Sequence, residues 1–437
     1  MAIDLSKYFS LLKKIDLLQS TGKVSQVIGL IIEVTGIRAA VGEICKIFVP
    51  GQIEPTVAEV VGFKNTKTLL MPLGELNGIS PGCAVFPTGK SHTVYVGDFL
   101  LGQVLDGLGR PMEADVDVHK GIEYSVNNNP PDPLTRQRIT QVLSTGVKAI
   151  DGLLTCGQGQ RVGIFAGSGV GKSTLLGMIA RQSSAEINVI SLVGERGREV
   201  LDFIERDLGT EGLAKSVVVV ATSDQPALIR IKAAFVATAV AEFFRDQGKN
   251  VMLMMDSVTR FAMAQREVGL AIGEPPATKG YTPSVFAMLP RLLERAGNGN
   301  TGSITGLYTV LVDGDDMNEP IADAVRGILD GHIVLSRSLA AKNHYPAIDV
   351  LSSVSRLMSE ITAQEHQAAA GQIRDFLASY YKVEDLINIG AYQQGSNIEV
   401  DRAIKHYPQI INFLTQEANE HISLEATLEQ MQSILAN

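Results

Sequence analysis

Tryptophan is absent from this sequence of 437 residues, and aromatic residues make up only 5% of it. Stacking platforms for nucleic-acid bases, which need aromatic side chains, are therefore scarce. An excess of positive charge is also missing, because 38 Lys and Arg residues stand against 47 Asp and Glu residues, a net charge of −9. Proteins whose main partner is nucleic acid usually have a basic excess. We therefore expect no nucleic acid among the partners of this chain.

Cysteine and long apolar runs are scarce as well. The chain has three widely spaced cysteines and no Cys-x-x-Cys pair. They are Cys45, Cys83 and Cys156. This usage argues against a disulfide framework and is typical of the reducing cytoplasm. The apolar stretches 216–221 and 251–255 are far shorter than the ~18 residues that a membrane span needs. Charged residues interrupt the apolar ones near the start of the chain, so we expect a cytoplasmic protein without a secretory signal.

Four segments of the chain differ in their residue pattern, and about two to four domains are expected for this length. Residues 1–20 repeat apolar residues at helical spacing and predict an amphipathic helix, which either packs on its own domain or docks to a partner. Residues 21–92 contain short Val- and Ile-rich runs between turn residues and predict a small antiparallel β-barrel or sandwich. Residues 357–437 carry helical periods and predict a helical C-terminal domain.

The remaining segment, 93–356, begins with a loop-rich stretch and then alternates apolar runs with helical patterns. This alternation predicts a parallel sheet covered by helices on both faces, hence an α/β domain. The predicted strands are 161–166, 187–193, 217–221, 251–255 and 305–312. The predicted helices are 172–182, 198–208, 227–247 and 257–268. Residues 269–299 hold four prolines and several glycines and predict a long loop.

The most specific motif lies where the strand 161–166 meets the helix 172–182. It reads Ala166-Gly167-Ser168-Gly169-Val170-Gly171-Lys172-Ser173-Thr174. In such a loop, backbone N–H groups and a helix N-terminus surround a phosphate, and glycines avoid Cβ clashes. Ala166 replaces the glycine with which the motif usually starts, at a position that need not take positive φ. The motif therefore predicts a nucleotide-binding loop over Gly167–Thr174, with Lys172 on the β- and γ-phosphates and Ser173 on Mg²⁺.

Two carboxylates follow neighbouring predicted strands. Asp256 ends an apolar strand, where such an Asp either holds Mg²⁺ beside a phosphate loop or caps the next helix. Glu195 follows the strand 187–193, at the edge of the sheet where ligands bind. It is our candidate for the carboxylate that orients the attacking water, with Arg196 as a phosphate contact. The alternative is a surface ion-pair cluster around Glu195.

The base of the nucleotide is predicted to be adenine. A GTPase normally carries an Asn-Lys-x-Asp or Thr-Lys-x-Asp segment that reads guanine, and this sequence has neither. Thr278-Lys279 is followed by Gly280 and Tyr281 instead. The sequence thus predicts an ATP-binding protein that uses Mg²⁺ as its cofactor.

Long stretches beyond these motifs resemble one family. They are 166–174, 193–200, 255–295 and 312–337, the last with Asp-Gly-Asp-Asp-Met-Asn-Glu-Pro. In these stretches the chain resembles the type III protein-export ATPases, most closely the flagellum-specific ones, which are related to the catalytic subunits of rotary F- and V-type ATPases. The resemblance implies a RecA-like P-loop ATPase core with an N-terminal β-barrel and a C-terminal helical domain.

The resemblance also implies roles for single residues. It makes Lys172 and Glu195 catalytic, with Asp256 on the Mg²⁺ side. Arg356 matches an arginine finger supplied to the site of the next subunit, a role worth about 10³–10⁵ in rate; the alternative is an Arg that pairs locally. Tyr345 matches a position that stacks on adenine, against the alternative of a buried core Tyr. Because Glu195 and Arg356 lie in one chain, identical copies suffice to build every site.

The family's task is implied in the same way. A homohexamer would unfold export substrates and release their chaperones at an export gate in the inner membrane, to which it is recruited from the cytoplasm. Implied partners are a regulator on the N-terminal helix, a central stalk protein, substrate–chaperone complexes and membrane proteins of the gate. The alternatives are a virulence-type secretion ATPase, a rotary ATP synthase subunit and an RNA translocase.

Overall fold

A computed structural model describes residues 20–113, 116–312, 314 and 316–436. The helix predicted over residues 1–20 lies outside this part of the chain, apart from Ser20 at its end. The chain forms two compact units, of which the first contains the residues of a β-barrel and the second nearly all of residues 93–436. Across the described residues, no helix combines the length and apolar character that crossing a membrane requires.

The first unit contains a closed barrel of six antiparallel strands in the order β1-β2-β5-β4-β3-β6. The strands are β1 Gly22–Ile28, β2 Ile31–Thr35, β3 Glu43–Phe48, β4 Thr56–Lys64, β5 Lys67–Pro72 and β6 Ala84–Ser91. Alternate side chains point inward and form a small core that includes Ile32, Val34, Ile47 and Leu70. The closed barrel, rather than an open sandwich, leaves no free sheet edge.

One apolar run that reads as a single strand, residues 27–34, is a hairpin in the structure. The turn falls at Gly29 and Leu30, where Gly29 takes a φ of 56°. Residues with positive φ are common in two-residue hairpin turns, and glycine adopts this conformation without steric cost. The strands β1 and β2 then pair directly across the turn, with Ile28 opposite Ile31.

The second unit is built around a nine-stranded sheet in the order β19-β18-β12-β17-β15-β13-β14-β8, with β16 paired to β17. The strands of this unit are β7 Thr93–Val96, β8 Val104–Asp106, β9 Ile122–Ser125, β10 Val142–Leu143, β11 Cys156–Gly157, β12 Arg161–Ala166, β13 Ile187–Val193, β14 Ser216–Ala221, β15 Asn250–Asp256, β16 Gly297–Asn298, β17 Ser303–Leu311, β18 Gly331–Leu335 and β19 Ile348–Ser355. All seven residues of β13 are buried, as expected for a parallel strand covered on both faces.

The helices of the second unit cover both faces of the sheet and continue to the C-terminus. They are α1 Lys148–Leu153, α2 Lys172–Gln182, α3 Gly197–Asp202, α4 Gly209–Ala214, α5 Ala227–Asp246, α6 Val258–Ile272, α7 Pro283–Leu293, α8 Pro320–Ile328, α9 Arg337–Ala341, α10 Met358–Ile361, α11 Gln364–Tyr381, α12 Glu384–Asn388, α13 Ile398–Leu414 and α14 Leu424–Ala436. A π-helical segment, Phe203–Leu208, joins α3 to α4. Buried residues of α11, α13 and α14 share one apolar core with α1, α2 and β12.

Four strands of the large sheet were not predicted from the sequence, and one of them is the two-residue β16, which pairs with β17. The strand β8 comes from the stretch that reads as loop and pairs in parallel with β14. On the other side, β18 pairs in parallel with β12, and β19 runs antiparallel to β18. The strands β8, β18 and β19 lie at the sheet's two ends, and β18 and β19 bring residues 330 and 356 next to the start of β12.

Gly177 in α2 allows the phosphate-loop helix to pack directly on the π-helical segment. A Cβ at this position would lie 2.6 Å from the carbonyl oxygen of Asp207. The backbone of a packed helix yields little, and overpacking costs about 1–3 kcal/mol. We expect Gly177→Ala to lower the thermal unfolding midpoint and to speed hydrogen exchange in α2.

The matched control for this glycine is Gly371 in the interior of α11. A Cβ there would meet no described atom within 4 Å, and Ala is favoured over Gly inside a helix by roughly 0.5–1 kcal/mol. Gly371→Ala should therefore leave the midpoint unchanged or raise it slightly. A Gly177→Ala chain that melts at or above the wild-type temperature would contradict the packing argument.

Candidate active site

The phosphate loop lies between β12 and α2, at the carboxyl edge of the parallel strands. Gly169 and Gly171 take φ values of 79° and 86°, a left-handed conformation that glycine adopts without strain. Helix α2 begins at Lys172 directly after Gly171. Backbone N–H groups and the positive end of the helix therefore face the space above the sheet, as anion binding requires.

A cleft of about 450 Å³ opens at this loop. Its lining residues are Ala166, Gly167, Ser168, Gly169, Gly171, Lys172, Ser173, Thr174, Glu195, Arg196, Glu199, Arg206, Arg260, Leu311 and Val312. Most of the residues predicted to bind nucleotide thus come together. Val170 differs, because its side chain is buried in the core beneath the loop and leaves only its backbone for a phosphate.

The ammonium group of Lys172 lies between the two predicted carboxylates. Its Nζ donates a hydrogen bond to Asp256 Oδ1 and is 3.8 Å from Glu195 Oε1. The same Asp256 oxygen accepts a 2.7 Å hydrogen bond from the hydroxyl of Thr309 on β17. Adjacent strands of a parallel sheet end at one edge, and this places Asp256 at the end of β15 and Glu195 just after β13 beside the loop.

The carboxyl of Glu195 in the cleft has a raised pKa. Burial raises the pKa of its carboxyl, the negative charge of Asp256 raises it further, and Lys172 lowers it, so that it lies at about 7. Its Oε1 is buried and accepts no hydrogen bond from the described residues. A carboxylate with a pKa near neutrality and a free lone pair is suited to hold a water and take its proton.

Arg196 and Arg260 line the cleft together with Glu195. Arg196 was predicted; its side chain is 78% exposed and lies 3.8 Å from Glu199. Arg260 was missed, although it lies four residues after Asp256, in the first turn of α6. Its side chain packs over Gly194, and its Nε is buried without a hydrogen-bond partner among the described residues. Its position in the first turn of the helix that follows the strand-end Asp256 was the signal that could have found it.

Two further residues that sequence reasoning missed lie at the phosphate loop or its cleft. Arg337, the first residue of α9, packs so closely on Gly167 that a Cβ there would lie 2.6 Å from its Nε. Arg206 reaches the cleft from the π-helical segment. Both are distant from the loop in sequence, so no local pattern connects them to it.

Tyr345 lies at the far end of the phosphate loop. A Cβ at Gly171 would be 3.4 Å from two carbon atoms of its ring. The ring is not buried in the core, since Tyr345 is 39% exposed. Its backbone oxygen accepts a 2.9 Å hydrogen bond from the N–H of Gln416. An exposed ring next to the loop is available to a nucleotide base, which a core Tyr would not be.

Arg356 lies away from this cleft. It follows β19, whose last residue, Ser355, pairs with Gly331 at the start of β18. The start of β18 lies beside the start of β12, whereas the phosphate loop follows the end of β12. About five residues of strand, roughly 15–20 Å, therefore separate Arg356 from the loop of its own chain. Its guanidinium is exposed and donates a long 3.4 Å hydrogen bond to the carbonyl of Arg326.

The donor set around the loop fits Mg²⁺, which proteins hold through one or two carboxylates together with substrate phosphates and water. Asp256 supplies a buried carboxylate, and Ser173 supplies a hydroxyl next to Lys172 in the chain. The described residues contain no cluster of three or more His, Cys, Asp or Glu side chains that could hold an ion alone. Phosphate oxygens and water would have to complete the coordination.

The fold and the site together define a RecA-like P-loop ATPase with an N-terminal β-barrel and a C-terminal helical domain. Three family models match consecutive parts of the chain. Residues 24–89 match the β-barrel domain of the ATP synthase alpha/beta family, and residues 146–355 match its nucleotide-binding domain. Residues 362–433 match the C-terminal domain of the type III secretion ATPase EscN.

Curated relatives match over nearly their whole length. A flagellum-specific ATP synthase of Bacillus subtilis (strain 168) is 59% identical over 95% of each chain. A flagellum-specific ATP synthase of Treponema pallidum (strain Nichols) is 52% identical over 98% of this chain and 96% of its own. A type 3 secretion system ATPase of Xanthomonas euvesicatoria is 52% identical over 94% of this chain and 93% of its own.

A solved structure shows the same fold. The assembled ATPase EscN from the type III secretion system of enteropathogenic E. coli superimposes with a TM-score of 0.89 at 50% identity, covering 95% of this chain and all of that one. The chain therefore belongs to the family of flagellum-specific and type III secretion ATPases, and its function is that of a type III protein-export ATPase. The predictions of fold, enzyme class and function are confirmed, and the C-terminal match favours export over the rotary alternative.

Proposed function

We propose that the cleft between the phosphate loop and Glu195 hydrolyses ATP with Mg²⁺. The observation that carries this proposal is the position of the Lys172 ammonium, at the loop and between the carboxylates of Asp256 and Glu195. Lys172 and the backbone of 167–174 bind the phosphates, with Arg196 and Arg260 at the sides. Ser173 and Asp256 would hold Mg²⁺, which would neutralise charge on the β- and γ-phosphates.

Glu195 is the residue that acts on the nucleophile. Its Oε1 holds a water so that the water oxygen attacks the γ-phosphorus, while the bond from this phosphorus to the β,γ-bridging oxygen breaks. The proton of the water passes to the Glu195 carboxylate, whose pKa of about 7 allows this at neutral pH. The products are ADP and inorganic phosphate, and Tyr345 stacks on the adenine ring.

The active form is a homohexamer in which Arg356 of one copy reaches the cleft of the next. Two observations support this. Arg356 is exposed on the opposite edge of the sheet from its own phosphate loop, and the related EscN is an assembled ATPase that has also been solved in complex with its central stalk EscO. A guanidinium supplied from the neighbour stabilises the charge that develops on the transferred phosphoryl group.

Hydrolysis serves export at the inner membrane, where the hexamer is recruited from the cytoplasm, unfolds export substrates and releases their chaperones. Residues 1–20 bind a regulator. Residues 21–92 form the barrel, 93–356 the ATPase domain and 357–437 the helical domain. A central stalk protein, substrate–chaperone complexes and membrane proteins of the gate are the further partners. The flagellar system is the setting that the 59% identical relative favours.

The ATPase activity per chain should rise with protein concentration, because an isolated chain lacks the Arg356 of its neighbour. The measurement is ATP turnover over a dilution series, with the oligomeric state followed in parallel by sedimentation. Specific activity that stays flat through dissociation would reject a site shared between copies. Addition of RNA is the control for a translocase, and strong stimulation by RNA would reject the export function.

A further inference from the structure

A charged fork joins the start of β12 to Asp330, the residue just before β18. Arg161 Nε donates to Asp330 Oδ2 at 3.0 Å, and Arg161 Nη2 donates to Asp330 Oδ1 at 3.1 Å. The backbone N–H of Arg161 adds a third hydrogen bond, 3.1 Å long, to the same carboxylate. Both side chains are largely buried, with exposed fractions of 14% and 27%. A bidentate pair of this kind fixes orientation as well as distance.

The backbone of Asp330 links this charged fork to Arg356. Its carbonyl oxygen accepts a 3.0 Å hydrogen bond from the N–H of Arg356 and a 3.1 Å hydrogen bond from the side-chain amide of Gln160. The same amide donates to the hydroxyl of Ser355, at 3.1 Å. The main chain at 355–356 is therefore attached to the start of β12 through Asp330 and Gln160.

We propose that the Arg161–Asp330 pair is a positioning device for Arg356, and that it sets the reach of this guanidinium toward the cleft of the neighbouring copy. Neither residue lines the cleft of its own chain, which opens at the other edge of the sheet. The inference rests on the proposed role of Arg356 in trans. Asp330 is thus a positioning residue, which contacts neither nucleotide nor reacting atoms.

The first experiment replaces Asp330 with Asn, which keeps the size of the side chain but offers Arg161 one acceptor instead of two. Misplacement of a catalytic group by about 1 Å can cost 10²-fold, so we expect kcat to fall about tenfold to a hundredfold. KM for ATP and the affinity for a fluorescent ATP analogue should stay within about twofold, because the cleft of the variant chain is intact. Arg161→Lys, which keeps the charge but loses the fork, should lower kcat in the same way by a smaller factor.

Glu186 provides the matched control at the same edge of the sheet. Its carboxylate accepts hydrogen bonds from Lys249 Nζ at 2.9 Å and from the N–H of Asn250 at 3.1 Å. It therefore links the starts of β13 and β15, just as Asp330 links the starts of β12 and β18. Glu186→Gln should leave kcat unchanged, and an equal loss of kcat in this variant would show a general effect on the sheet.

Mixed oligomers distinguish positioning in trans from damage to the fold. Chains with Asp330→Asn keep an intact cleft, and chains with Lys172→Ala keep an intact Arg356. Mixing the two should raise activity above either variant alone. Some interfaces then join the intact cleft of an Asp330→Asn chain to the intact Arg356 of a Lys172→Ala chain. Absence of this rise, or unchanged kcat in Asp330→Asn while Arg356→Ala is inactive, would overturn the inference. Unchanged kcat in Arg356→Ala itself would instead reject the proposed finger.

Discussion

We expect Glu195→Gln to remove nearly all ATP turnover while ATP still binds. The amide keeps the size of the carboxylate but cannot accept a proton from water at neutral pH, and loss of a general base costs roughly 10²–10⁴-fold in rate. The loop, Lys172 and Asp256 are unchanged, so the contacts to phosphate and Mg²⁺ remain. Lys172 loses one of its two negatively charged neighbours in this variant, but its contact with Asp256 persists. Single-turnover kinetics and binding of a fluorescent ATP analogue measure the two effects separately.

Glu205→Gln is the control for this substitution. Glu205 is exposed on the π-helical segment that follows α3 and does not line the cleft. The same change of a carboxylate to an amide should therefore leave turnover within about twofold, as expected for a surface substitution. Turnover in Glu195→Gln comparable to this control would remove Glu195 from the chemical step.

We expect Arg356→Ala to lower kcat by about 10³–10⁵-fold, the range that arginine fingers supply. The affinity of the variant chain for ATP should change little, because Arg356 lies at the opposite edge of the sheet from its own cleft. Arg356→Lys should recover only part of the rate, since an ammonium group cannot form the two parallel hydrogen bonds of a guanidinium. Turnover and analogue binding are measured on the assembled oligomer.

A local role for Arg356 predicts a different outcome. If its hydrogen bond to the carbonyl of Arg326 were its purpose, Arg356→Ala would lower the unfolding midpoint and leave kcat per folded chain unchanged. That bond is exposed and 3.4 Å long, and surface interactions of this kind contribute little to stability. A stable variant with wild-type kcat would reject the finger.

The central strands could be predicted from the sequence because they are buried on both faces. Five apolar runs gave β12, β13, β14, β15 and β17 with boundaries within two residues. The outer strands β8, β18 and β19 contain partly exposed positions, so their residues lack a long continuous apolar run. Pairing with a neighbouring strand holds them in the sheet. The predicted loop 269–299 contains helix α7, whose two prolines misled the prediction: Pro283 begins the helix, a position that proline favours, and Pro290 lies inside it.

The sequence allowed prediction of those site residues that lie at or next to the ends of strands. Lys172 begins the helix after β12, Glu195 follows β13 and Asp256 ends β15, and parallel strands bring such ends together. Arg337 and Arg206 could not be found this way, because only tertiary packing brings them to the loop. The roles of Arg356 and Tyr345 came from family resemblance and stay predictions.

The central claim is that each ATP site is shared between identical copies, and mixing two inactive chains tests it most directly. Lys172→Ala removes the phosphate contact of the cleft and keeps Arg356, whereas Arg356→Ala keeps the cleft and removes the finger. Co-assembled oligomers contain interfaces that join an intact cleft to an intact Arg356. We predict ATP turnover in the mixture well above that of either variant alone. Mixed oligomers that form, as shown by sedimentation, and remain as inactive as their parents would contradict the account.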